Sequence, residues 1–157
     1  MSTVNGLPAH ILLNHFVVVL GPLTAILAIV CVLWPAARRR LIWLALLLSV
    51  GTLILVPLTT SSGAWLVGKI GASPPVRVHQ GLGETLIYMV AALVATLILL
   101  AAVHIRQARG RSVKLALHAV VGVLVIVAAV ATLVQTYRVG DSGARAAWGN
   151  VALSAPA

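Results

Sequence analysis

The chain has 157 residues, of which 61% are hydrophobic and 8% charged, with a formal net charge of +9 and one cysteine. Soluble domains carry about 25% charged residues, so a water-soluble core cannot hide this much apolar surface and lipid is the natural solvent. The lone Cys31 excludes an intrachain disulfide and any multi-cysteine metal or iron–sulfur site.

The positive charge does not imply nucleic acid. Its carriers sit beside apolar segments, as topology signals do, and no motif that reads or stacks bases is present. Arg38-Arg39-Arg40 and the stretch from Arg106 to Lys114 also suit contact with anionic lipid.

In chain order, four apolar segments are predicted to cross the bilayer as helices, over about 10–34, 41–57, 79–103 and 115–134, each long enough for a hydrocarbon core of about 30 Å. Met1 to Ala9 carries no Lys or Arg, and the first apolar run is too long for the core of a cleavable signal. Gly21-Pro22 lies deep in the first helix and should bend it. The loop after helix one holds Arg38, Arg39 and Arg40. The loop after helix three holds Arg106, Arg109, Arg111 and Lys114. Only Lys69, Arg77, Arg138 and Arg145 lie elsewhere, so these two loops face inward and both termini outward.

The stretch 59–78 is then the longest outer connection, with Ala64-Trp65-Leu66-Val67 along the interface. The expectation is an all-α, up-down-up-down four-helix bundle, a single domain over 1–157 with a short outer tail over 135–157, in a bacterial plasma membrane. No internal repeat stands out.

Polar side chains inside lipid need a reason. Helix one brings Asn14 and His15, and helix three brings His79, Gln80, Glu84 and Tyr88. Gln80, Glu84 and Tyr88 form an i, i+4 stripe. Helix four brings Thr132 and Gln135. All fall in the outer half. The inner half offers His104 and His118, which read as side chains snorkelling beside the arginines.

Glu84 is one of two acids and should face other helices, paired with His79, His15 or Arg77. A lone histidine is usually an interfacial or hydrogen-bonded residue. The pair His15 and His79, drawn from different helices at similar depth, is a candidate to hold haem b or a metal, with Glu84 tuning the site and His10 as reserve ligand. His10 and His15 do not share a helix face, and no phosphate loop or hydrolytic triad is visible. Gly81, Gly83 and Gly122 read as points of close helix approach.

Several motifs carry a resemblance: Leu7-Pro8-Ala9-His10 through His15-Phe16, Gly63-Ala64-Trp65, Val78-His79, Tyr137-Arg138-Val139-Gly140 and Ser142-Gly143-Ala144. Over most of its length the chain resembles the bacterial membrane family called domain of unknown function 2231. Some relatives look as if they carry a fused Rieske iron–sulfur domain. The resemblance therefore implies a redox neighbourhood at the outer face, reaching His10, His15 and His79 here.

The functional expectation is a membrane module, more readily a carrier than an enzyme, serving electron transfer or a respiratory assembly. The rival expectation is a cofactor-free accessory subunit. Either has the lipid bilayer around it and a membrane-protein partner or a second copy beside it.

Overall fold

A computed structural model of the chain describes residues 3–4 and 6–153. A minimal antiparallel pair, β1 (Thr3–Val4) and β2 (Leu7–Pro8), precedes four long helices: α1 (Ala9–Leu33), α2 (Pro35–Ile70), α3 (Pro74–Ala108) and α4 (Leu115–Leu153). All four are long and apolar enough to cross a membrane. With no water in hydrocarbon to satisfy backbone groups, a helix is one of the few structures that can span it.

The helices outrun the apolar segments that forecast them. The expected helix two stops near Pro57, but α2 runs through Pro57 to Ile70. The stretch expected as a long outer connection, with an interfacial segment at 64–67, is instead mostly helix. Only Gly71, Ala72 and Ser73 separate α2 from α3. The expected tail after residue 134 is likewise the second half of α4. Hydropathy marks where lipid ends, whereas the backbone ladder ends where a residue breaks it. Here that residue is Gly71, whose φ of 87° sits outside the helical region. Pro57 lacks an N–H, yet it does not end the helix because packing holds the turns on either side.

α1 packs against α2 and α4, and α3 packs against the same two, while α1 and α3 touch little. The helices therefore stand in a ring with α1 and α3 on one diagonal. Small residues make the close faces: Ala25, Ala28, Ala45, Ser49, Thr52 and Ala129 are all buried. One core cluster joins the four alanines to Ile42, Leu93, Leu97, Leu100 and Val125. A smaller one groups Val17, Val56, Leu86 and Val90. Large apolar side chains such as Phe16, Leu47, Ile54 and Val127 are exposed on the outside of the ring. Such a surface suits lipid and not water.

Several buried hydroxyls bond back to their own helix. Thr52 Oγ1 donates to Leu48 O at 2.8 Å and Thr132 Oγ1 to Ala128 O at 2.8 Å. A helical hydroxyl can satisfy itself in lipid in this way.

Candidate functional site

At the start of α1, His10 reaches across to the late turns of α2, with Nδ1 2.9 Å from Thr59 O. Early in α3, His79 reaches across to α4, with Nδ1 3.1 Å from Val139 O and 3.1 Å from Ser142 Oγ. A carbonyl oxygen only accepts, so each Nδ1 donates its N–H and Nε2 is the ring nitrogen left without a partner. No hydrogen bond engages either Nε2 among the described residues.

The two rings meet edge to face, centroids 6.0 Å apart and planes at 76°. They lie between the small core cluster and a cavity of about 570 Å³ lined by all four helices. That volume is within the usual range for small-molecule sites, about 300–1,000 Å³. The walls include Leu66, Val67 and Ile70 from α2 and Ala147 and Trp148 from α4. Asn14, Thr60, Gln80 and Glu84 supply polarity.

The close seating of both rings depends on glycine. A Cβ on Gly63 would stand 2.9 Å from His10 Cε1 and Nδ1, and a Cβ on Gly143 3.0 Å from His79 Cε1. Sequence reasoning read these two residues only as motif letters. The available signal was the tripeptide Ser-Gly-Ala, present at 62–64 and again at 142–144.

The other expected site residues divide. His15 and Glu84 both line the cavity, but the ring that faces His79 belongs to His10. His15 turns back on its own helix, Nδ1 2.6 Å from Ile11 O. Glu84 makes no ion pair among the described residues, and its Oε1 accepts from Gln80 Nε2 at 3.1 Å. Asn14 lines the cavity as well.

Tyr88 does not join them, being 70% exposed. Each i, i+4 step overshoots a full helical turn by about 40°, so a stripe that begins in the cavity at Gln80 has rotated off it by Tyr88. Gln135 is buried away from the cavity and ties α4 to α3, donating to Leu82 O at 2.8 Å and Thr85 Oγ1 at 2.6 Å. Of the glycines expected at close approaches, Gly122 lies tight against Val32 and Gly83 near Thr60, while Gly81 faces open space.

The sequence matches the family described as "Predicted membrane protein (DUF2231)" over residues 6–155. The chain belongs to DUF2231. The match takes in all four helices of this DUF2231 protein, and both histidine–carbonyl pairs lie inside it. No curated protein and no solved structure matches the chain.

The far end of this DUF2231 bundle holds a different polar group. Arg38, at the start of α2 and only 5% exposed, donates NH1 to His118 Nε2 at 2.8 Å and NH2 to Gln107 Oε1 at 3.2 Å. His118 is thus the acceptor for a buried guanidinium, not a snorkelling side chain. Among the described residues, no group of three or more His, Cys, Asp or Glu side chains is arranged to hold a metal ion.

Proposed function

We propose that this protein is a membrane electron-carrier or respiratory-assembly subunit that holds haem b between His10 and His79. The observation that carries the reading is a pair of imidazoles from different helices. Each donates Nδ1–H to a backbone carbonyl, each leaves Nε2 free, and the two meet 6.0 Å apart under a cavity of about 570 Å³. A ligating histidine characteristically donates its other ring N–H to a carbonyl or carboxylate, which fixes ring orientation and raises ligand basicity.

The donor set suits haem better than a bare ion. Zinc takes about four donors, mostly from protein, whereas two imidazoles face each other here and no group of three or more His, Cys, Asp or Glu among the described residues is placed to hold an ion. A haem brings four nitrogens of its own and asks the protein for axial ligands only. When bound, the group supplies one-electron chemistry. The chain's part is to fix both rings, to wall the group with Leu66, Val67, Ile70 and Trp148, and to set polarity beside it through Glu84 and His15.

In the same reading the bundle runs up-down-up-down in a bacterial plasma membrane, with the arginine end inside and the cavity and both termini outside. Seven of the eleven Lys and Arg flank the arginine end. A second reading, a cofactor-free accessory subunit, draws on the same histidine–carbonyl bonds, which also rivet α1 to α2 and α3 to α4.

A visible spectrum decides between them. The haem reading expects a Soret band in purified protein, or on addition of haem. The band should be lost in His79→Ala and His10→Ala and kept in His104→Ala. A well-folded preparation that stays colourless after haem is added sinks the haem reading and leaves the accessory one. For orientation, a cysteine placed at Ser112 in a Cys31→Ser background should resist an impermeant thiol reagent in intact cells, and one at Ser61 should react. The reverse pattern overturns the topology.

A further inference from the structure

The two histidines are not an isolated coincidence. His10 and His79 lie 69 residues apart, and that offset maps α1 onto α3. Of the seven buried residues of α1, six fall on buried residues of α3, among them Val17 on Leu86, Gly21 on Val90 and Cys31 on Leu100. An offset of 80 maps α2 onto α4, and seven of the eight buried residues of α2 fall on buried residues of α4, Ala45 on Val125 and Val56 on Thr136 among them.

Hydrogen bonds follow the same offset. Thr52 to Leu48 O repeats as Thr132 to Ala128 O, and Ser62 to Thr59 O repeats as Ser142 to Val139 O. The His10 bond to Thr59 O repeats as the His79 bond to Val139 O. Equivalent residues also meet across the middle at both ends, His10 with His79 and Arg38 with His118. That is what a two-fold axis between two hairpins requires. The difference between the offsets falls in the extra turns that close α3 and the Arg109–Lys114 loop.

We infer that the chain is a tandem pair of one helix hairpin, and that Gly63 and Gly143 are its equivalent positioning residues, each seating one imidazole so that the two rings meet on the axis. The hairpin pairing stands on the repeat itself. Only the ligand arm of its test rests on the haem reading.

Around the two rings the copies differ in chemistry. His15 and Glu84 occupy equivalent positions on the cavity wall, as do Asn14 and Gly83. A symmetric pair of rings thus sits in an asymmetric field, with a carboxyl on one side only.

The test uses the full chain in detergent. Alanine in place of a helical glycine ordinarily stabilises, but here the added Cβ overlaps a ring. Overpacking of this kind destabilises. G63A and G143A should therefore each lower the thermal midpoint by roughly 3–8 °C, and by similar amounts. G140A and G81A, where a Cβ meets nothing within 4 Å, should not. With the ring removed, in H10A/G63A and H79A/G143A, the glycine effect should vanish, and this rescue remains readable if the single variants fail to fold.

G21A serves as a matched control, because its Cβ would meet Thr136 Oγ1 at 3.0 Å, away from either ring. It should lower the midpoint while leaving the ¹⁵N imidazole resonances in place. G143A should shift those of His79, and G63A those of His10. If haem binds, its affinity should fall at least tenfold in G63A and G143A and stay unchanged in G21A. The inference is overturned if either glycine behaves like Gly140, if the penalty survives loss of its histidine, or if only one of the pair responds. Wild-type protein that binds no haem refutes the haem reading alone, since the midpoint and resonance arms still decide the inference.

Discussion

At one end of the bundle His10 and His79 meet below a cavity, each with one nitrogen bonded and one free. At the other end Arg38 donates to His118 and Gln107 and is almost wholly covered. Both pairs occupy equivalent places in the two hairpins. The arginine end directs its guanidinium at its equivalent, and His118 has its Nε2 engaged by it. The histidine end directs its donors sideways at carbonyls and leaves its Nε2 atoms without a partner among the described residues. Burial of a polar pair in a membrane bundle is therefore a poor guide to function. The direction in which each pair's valences point is a better one.

The comparison breaks most sharply under histidine replacement. On the haem reading, His79→Ala should remove all haem binding, whereas His118→Ala should leave the absorption spectrum intact; loss of the band in both variants would make the two ends alike.

The next effect is on stability, and it has the opposite polarity. His118→Leu leaves the Arg38 guanidinium, whose Nε already lacks a partner among the described residues, short of a second acceptor. A buried unsatisfied group costs about 1–3 kcal/mol, more when charged. The thermal midpoint should drop by roughly 5–10 °C, and Arg38→Met in the same chain should restore most of it, as replacement of a whole buried polar pair by apolar side chains often does. A midpoint unmoved by His118→Leu would show that Arg38 finds water or lipid phosphate instead.

Gln135→Leu should cost less, about 1 kcal/mol, because Leu82 O and Thr85 Oγ1 still have each other when the amide is gone. Chemical denaturation in detergent reads this directly, and a loss as large as that of His118→Leu would show that Leu82 O and Thr85 Oγ1 do not satisfy each other. The smallest effect belongs to Asp141→Asn. Its pair with Arg145 at 2.9 Å lies on the exposed surface, where ion pairs add little, and the midpoint should not move measurably.

Much of this was legible in the residues. Uninterrupted apolar runs give four spanning helices, because lipid leaves the backbone few alternatives. The placement of polar side chains gives the end of the bundle to examine. The helix ends were not legible from hydropathy, since α2 and α4 stay helical after the apolar runs stop. Which histidine of α1 faces His79 turned on rotation about α1, which depends on how α1 packs against α2.

The repeat was hidden for a physical reason. Lipid-facing positions accept any large apolar side chain, so the copies are free to drift apart in letters while their buried positions stay in register. The longer connection between α3 and α4 then breaks any single alignment offset. What survived in the letters was a histidine at each helix head and Ser-Gly-Ala at each helix tail.

The 36 residues of α2 amount to about 54 Å of helix at 1.5 Å per residue, against a hydrocarbon core of about 30 Å. With the arginine triplet anchored at one boundary, the hydrocarbon is used up near Thr60. The turns that carry Leu66, Val67 and Ile70, with Ala147 and Trp148 beside them, stand among the headgroups. With that anchoring, the ring pair falls at the seam between oil and water, and the cavity above it is a cup whose rim reaches the headgroups. On the haem reading, the group would then enter along the membrane normal without first dissolving in the lipid.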